Sequence, residues 1–209
     1  MRRTGRWLLA GVVLALNLGC ASVMRVDSQV ESHAQWGTAA LPASTASYVF
    51  ERTPSQAGAA LADSQTALET LAAEVLARHG WQASAQPPAA SLPAPWRVQV
   101  LASTTTLPRA PWDDPRDRVW PRWGVSASNA GVGIQLGGLF SFDMPYYVRK
   151  LTLLVRDGST GRVVYETSAA HDGRWRDSPA LWRAMLEAAL TGFPAPQPGV
   201  QQINIDIPR

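Results

Sequence analysis

The residues best placed to do chemistry are one thiol and one cluster of indoles and guanidiniums. Cys20 is the only cysteine among the 209 residues. It follows Arg2, Arg3 and Arg6, an apolar stretch from Trp7 to Leu16, and small residues at Leu18-Gly19-Cys20-Ala21-Ser22. This is the charge, apolar and small-residue order of a cleaved export signal, with the thiol at the cut. The apolar stretch is shorter than the roughly 20 residues that span a bilayer. The second cluster is Trp112-Asp113-Asp114-Pro115-Arg116-Asp117-Arg118-Val119-Trp120-Pro121-Arg122-Trp123. Trp and Arg dominate binding hot spots, and indole faces also stack on sugars, so Trp112, Arg116, Trp120, Arg122 and Trp123 are the candidate partner-binding residues. The competing reading has the indoles covering the sheet edge while the charges stay solvated.

Other patterns suggest sites that their details argue against. Asp113, Asp114 and Asp117 lack the Asp-x-Asp-x-Asp-Gly order and distal Glu of a calcium loop, and the neighbouring arginines favour local ion pairs, so no metal is expected. Gly131-Val132-Gly133-Ile134-Gln135-Leu136-Gly137-Gly138 lacks the strand-to-helix setting of a dinucleotide site and the Lys-Ser/Thr of a phosphate loop. Its alternation of Val132, Ile134 and Leu136 reads instead as a Gly-rich hairpin. An exposed hairpin edge would allow self-association through 128–140. His33, His79 and His171 lie far apart and form no catalytic or metal-binding spacing; a triad assembled in space around His171-Asp172 is the one alternative. No paired glutamates suggest glycoside hydrolysis. Neither catalytic residues nor cofactors are expected.

The elements that must position these residues follow from composition and periodicity. The formal charge of +3 lies entirely in the three arginines of residues 1–19, so residues 20–209 are neutral and lack the basic footprint of a nucleic-acid binder. That length suits one domain with a decorated loop. With its only thiol at the signal boundary, an exported domain must be held by packing alone, without an internal disulfide.

Met24 to Val30 alternates as a strand with Met24, Val26 and Val30 on one face, and residues 31–46 read as a loop. Ser47 to Glu51 forms a short strand ending near Pro54. Leu68, Leu71, Ala72, Val75, Leu76 and His79 trace a helical stripe, with Thr66 and Glu69 as a capping box, or Asp63 as the alternative cap, and Gly80 as the exit. Trp96 to Val100 is the next strand. Tyr146–Arg156 and Arg162–His171 form a hairpin across Asp157-Gly158-Ser159-Thr160-Gly161. Ser178-Pro179 opens a second helix carrying Trp182, Met185, Leu186, Ala189 and Leu190, which Gly192 and Pro194 close. Ile203, Ile205 and Ile207 alternate in a last strand. Strands around two helices, without regular βαβ alternation, predict an α+β fold: a largely antiparallel sheet, two amphipathic helices on one face, and a Gly-rich hairpin insertion. The expected organisation is a signal peptide at 1–19 and a single periplasmic domain at 20–209, with a Trp/Pro/Gly-rich insertion at 104–145.

Two resemblances add to this reading. Leu16, Leu18, Gly19 and Cys20 resemble the lipobox of bacterial lipoproteins, with Asn17 where Leu is usual. The resemblance implies lipidation of Cys20, several acyl chains that hold the domain on a membrane, and, with Ala21 next, an outer-membrane address facing the periplasm. The order of later features resembles the lipoproteins carrying domain of unknown function 4136. Those features are the Val26-Asp27 strand, Ser47 to Phe50, the helix closed by Gly80-Trp81, the Gly-rich insertion, Lys150 to Asp157, Thr160 to Tyr165, and the helix running into Phe193-Pro194. That family implies location and architecture and no catalytic residues. The expectation is a non-enzymatic envelope lipoprotein whose domain is structural or binds an envelope protein or glycan. The alternative is a hydrolase acting on envelope polymers.

Overall fold

The computed structural model describes residues 23–36, 45–84, 96–113, 123–128, 131–136 and 144–208. Cys20, Arg116, Trp120 and Arg122 lie outside the described residues, as do 129–130 and 137–140 of the 128–140 segment. In chain order the elements are β1 (Val23–Ala34), β2 (Ala46–Phe50), α1 (Ala62–Arg78), β3 (Trp81–Ala83), β4 (Trp96–Leu107), β5 (Trp123–Ser128), β6 (Gly131–Leu136), β7 (Tyr146–Arg156), β8 (Val163–Gly173), α2 (Pro179–Ala189) and β9 (Gln201–Pro208). The main sheet has seven strands in the order β3-β2-β4-β7-β8-β1-β9. β5 and β6 pair antiparallel in a sheet of their own, Trp123 opposite Leu136 and Ser128 opposite Gly131.

The fold is α+β and mostly sheet, but the main sheet is mixed. β2 pairs in parallel with both β3 and β4, whereas β4-β7, β7-β8, β8-β1 and β1-β9 are antiparallel. The parallel pair arises because β2, α1 and β3 form one βαβ unit, a parallel pair needing a long crossover. Three residues, Trp81-Gln82-Ala83, are too few to show a period of two, so the sequence gives no sign of β3. β1 is also longer than its apolar alternation. It continues through Glu31, Ser32 and His33 because these pair with Ser168, Thr167 and Glu166 of β8.

Period-two alternation sorts the sheet into two faces. Val26, Val30, Val98, Val100, Leu151, Leu153, Val155, Tyr165 and Ala169 are buried together with Leu68, Ala72, Val75 and Leu76 of α1 and Leu181, Met185 and Leu186 of α2. Both helices therefore cover one face. Gln29, Glu31, His33, Lys150 and Glu166 lie exposed on the other.

α2 begins as its sequence demands: Ser178 Oγ accepts from the Leu181 amide at 3.2 Å, and Pro179 fills the first turn. α1 departs from expectation. It starts a turn early at Ala62, after Leu61, with no side-chain cap. Thr66 donates back to the Ala62 carbonyl at 2.7 Å, and Glu69 is drawn to Arg52, so the Thr66/Glu69 pair does not form a capping box. Gly80 takes φ 81° and supplies the left-handed exit.

Candidate binding groove

The helices start at one end of the sheet and finish at the other, and the two ends are packed differently. At the finish, Trp36, Trp81, Trp96, Tyr165 and Phe193 interlock: Tyr165 meets Phe193 at 4.8 Å and Trp81 meets Phe193 at 5.1 Å, both edge-on. Trp36 stacks on Tyr165 at 5.9 Å and donates its indole N–H to the Pro194 carbonyl at 2.9 Å. Tyr48 is fully buried against Trp81, and among the described residues its hydroxyl has no hydrogen-bond partner. Burial disfavours the phenolate and pushes the Tyr48 pKa up to about 12.

At the start of the helices the layer opens into a groove of about 650 Å³. Leu61, Leu68 and Leu71 of the α1 end form one wall, Pro179 and Trp182 of α2 the other, and Leu101 to Thr104 of β4 the floor. The β4 backbone explains why the floor is open. The Val98 carbonyl points outward to the Glu51 amide, and that of Val100 points outward to Gln56 Nε2 at 2.8 Å and Gln65 Nε2 at 3.1 Å. Two glutamine side chains thus end the ladder in place of a strand. Alternation sends the backbone N–H and C=O of Ala102, Thr104 and Thr106 to this same side, where no described residue pairs with them.

A buried polar scaffold holds the groove in shape. Arg149 is fully buried on the covered face, where its Nε donates to Asp177 Oδ1 at 2.5 Å and its Nη2 to the Trp175 carbonyl. Asp177 also accepts from Thr104 at 2.7 Å, so one carboxylate ties the groove floor, the buried guanidinium and the start of α2 together. On the opposite wall Glu69 takes Arg52 at 2.7 and 2.6 Å and Gln65 at 3.0 Å. Sequence reading missed this scaffold. The available signal was Arg149 in an inward slot of the Leu151, Leu153, Val155 alternation, together with Gln65 one turn before Leu68 on the apolar stripe.

The residues singled out from sequence do not gather here. Trp112 is 68% exposed and meets Tyr146 edge-on at 5.1 Å, and the hydroxyl of Tyr146 donates to Asp172. Trp123 opens β5. His171 and Asp172 point to opposite faces of β8. His171 is 4% exposed and donates from Nδ1 to the Asp27 carbonyl at 2.7 Å, so the pair does not converge on a shared site. Among the described residues no group of three or more His, Cys, Asp or Glu side chains could hold a metal ion. No described helix is long and apolar enough to cross a membrane.

No family model matches the chain, and no curated protein matches it. Among solved structures it is similar to a PDZ domain protein from Parabacteroides distasonis, with 10% identity and a TM-score of 0.52 over 95% of this chain. The chain spans 42% of that protein's length. A PelC dodecamer from Paraburkholderia phytofirmans is similar at 15% identity and a TM-score of 0.42, over 81% of this chain and 99% of that one. At such identities the first likeness speaks to the fold alone, and the second carries no argument.

Proposed function

We propose that this chain is a lipoprotein of the bacterial envelope, related to those carrying domain of unknown function 4136. In this reading it is anchored through Cys20 at the outer membrane, facing the periplasm, and its domain is a non-catalytic binding module. The groove takes an extended segment of a partner polypeptide. The observation that carries the binding assignment is the open edge of β4 lying along an apolar groove. Main-chain groups on such an edge pair with an added strand, while the neighbouring pocket selects its side chains. Leu71 and Trp182 supply apolar surface, and Ala102, Thr104 and Thr106 supply backbone donors and acceptors. Trp112, Arg116, Trp120, Arg122 and Trp123 form a second contact surface for an envelope protein or glycan, and 128–140 is the segment through which copies would associate.

The test uses the full chain in its membrane. Cys20→Ser is expected to move the protein from the envelope to the soluble fraction. A photo-crosslinking residue at position 106 is expected to capture a partner strand, and Leu71→Asp, in the groove wall, to abolish that capture in a chain that still unfolds cooperatively. Retention of the adduct in Leu71→Asp, with loss in a Trp112→Ala, Trp120→Ala, Trp123→Ala variant, would move recognition to the Trp/Arg segment. Deleting 128–140 without changing oligomeric state would remove the self-association proposal.

A further inference from the structure

On the open face of the sheet, in a cavity distinct from the groove, we infer a binding site for the oxyanion group of a small ligand, either a carboxylate or a phosphate. Register puts Arg97 of β4 directly opposite Arg156 of β7. Like charges facing each other across a ladder destabilise it unless a counter-charge lies between them. The acid between them is Glu51, which follows β2. It lies 3.6 Å from Arg97 Nη1 and 3.7 Å from Arg156 Nε, both beyond hydrogen-bonding distance. One carboxylate thus serves two guanidiniums and bonds neither of them.

The other charges nearby are already committed. Arg52 is held by both oxygens of Glu69 and also reaches Thr66 at 3.1 Å. Asp157 is next to Arg156 in sequence but turns into its own loop, accepting from the Ser159 amide at 2.7 Å and the Thr160 amide at 2.9 Å. Bonds from the Ser159 hydroxyl and these amides hold its carboxyl below the usual carboxylate range. Among the described residues Glu51 is therefore the one carboxylate within ion-pair distance of the two arginines. Among the described residues neither guanidinium makes a side-chain hydrogen bond, so both donor forks are unspent.

These groups line a cavity of about 350 Å³ together with Thr53, Gln99 and Gly161. Gly161 takes φ 71° in the β7–β8 turn, and a Cβ there would meet nothing within 4 Å, so the turn leaves the mouth of the cavity clear. A planar guanidinium matches a carboxylate or phosphate with two parallel N–H donors. An oxyanion seated between Arg97 and Arg156 would take the donors that Glu51, at 3.6 and 3.7 Å, leaves without a hydrogen bond.

The test is calorimetric titration of the detergent-solubilised full chain with inorganic phosphate and, separately, with acetate. Sodium chloride holds ionic strength constant throughout. Saturable binding of at least one probe is expected at a Kd of about 1 mM or tighter. Binding of phosphate alone assigns the site to phosphate esters, and binding of acetate alone assigns it to carboxylates. Arg97→Gln and Arg156→Gln should each weaken binding about tenfold, and Arg97→Lys, which keeps charge but loses the fork, should weaken it less. Without added anion each Gln variant should unfold at the same denaturant concentration as the parent or higher, because the opposed charges are relieved. A purely structural ion-pair cluster would make the variants less stable. Heat with neither probe, or heat that persists in the Arg97→Gln/Arg156→Gln double variant, would overturn the assignment.

Discussion

At one end of the helical layer Trp36, Trp81, Trp96, Tyr165 and Phe193 fill the space between helices and sheet, each ring touching two or more others. At the other end, an equal need to join helix to sheet is met by Arg149, Asp177, Gln56, Gln65 and Glu69, and a groove remains. Rings fill volume from many directions and close an end completely. Hydrogen-bonded side chains fix positions through a few directed bonds, so they can hold two walls apart without filling the gap between them. The contrast separates a part of the domain built for stability from a part built to be accessible.

The largest effect should come from the aromatic end. Trp81→Ala removes a side chain that is 1% exposed and is expected to cost about 3–5 kcal/mol in denaturant unfolding. Leu71→Ala in the groove wall should cost far less. Comparable losses would break the contrast.

The groove end should be sensitive at a single polar point. Asp177→Ala strands the buried Arg149 guanidinium and releases Thr104, and an expected loss of about 2–3 kcal/mol discounts the figure for a buried pair because one flank is open to solvent. Faster hydrogen exchange should then appear at the start of α2 and along Leu101–Thr104, with the aromatic end unchanged.

A pH titration reads the aromatic end when the parent is compared with Tyr48→Phe, because Tyr146, outside that end, also has a raised pKa. The pKa of Tyr48 is raised in the folded chain to about 12, above an unfolded value of about 10. Its stabilising contribution is therefore complete below pH 10 and is lost as the pH rises towards 12. Unfolding measured across that window should show the decline, and Tyr48→Phe should flatten it, because that variant also removes a buried hydroxyl without a partner among the described residues. A decline of equal size in Tyr48→Phe would assign it to Tyr165, whose pKa burial also raises, or to Tyr146, whose pKa is raised by burial and by its bond to Asp172.

The smallest effect belongs to Ser178. Ser178→Ala deletes the cap on the Leu181 amide and should cost about 1 kcal/mol. It sharpens the comparison if partner capture at the groove falls while the aromatic end keeps its near-ultraviolet dichroism.

The same physical division explains what could be read in advance. The stripe Leu68, Ala72, Val75 and Leu76, the hairpin across Asp157 to Gly161, and the Ser178-Pro179 start were legible because each is set by residues a few positions apart. β3 was not legible, because three residues carry no period. Trp36 fell in a segment read as a loop, because its partners are at positions 81, 96, 165 and 193. Leu71 was read simply as part of the apolar face, yet it lines a groove, because α1 and α2 leave a gap over β4 at that end.

By itself the sequence determined the two helical stripes, the cores of β1, β4, β7, β8 and β9 and which of their faces turn inward, since those depend on local periods of 3.6 and 2. It also set the register of the β7–β8 hairpin, through a turn whose Asp157 and Gly161 allow few other closures. The tertiary structure alone decided that β2 runs parallel to its neighbours, that two glutamines end its ladder on β4, and that Arg97 faces Arg156. Each of those depends on groups tens of residues apart meeting in space, and local periodicity carries no information about such distances.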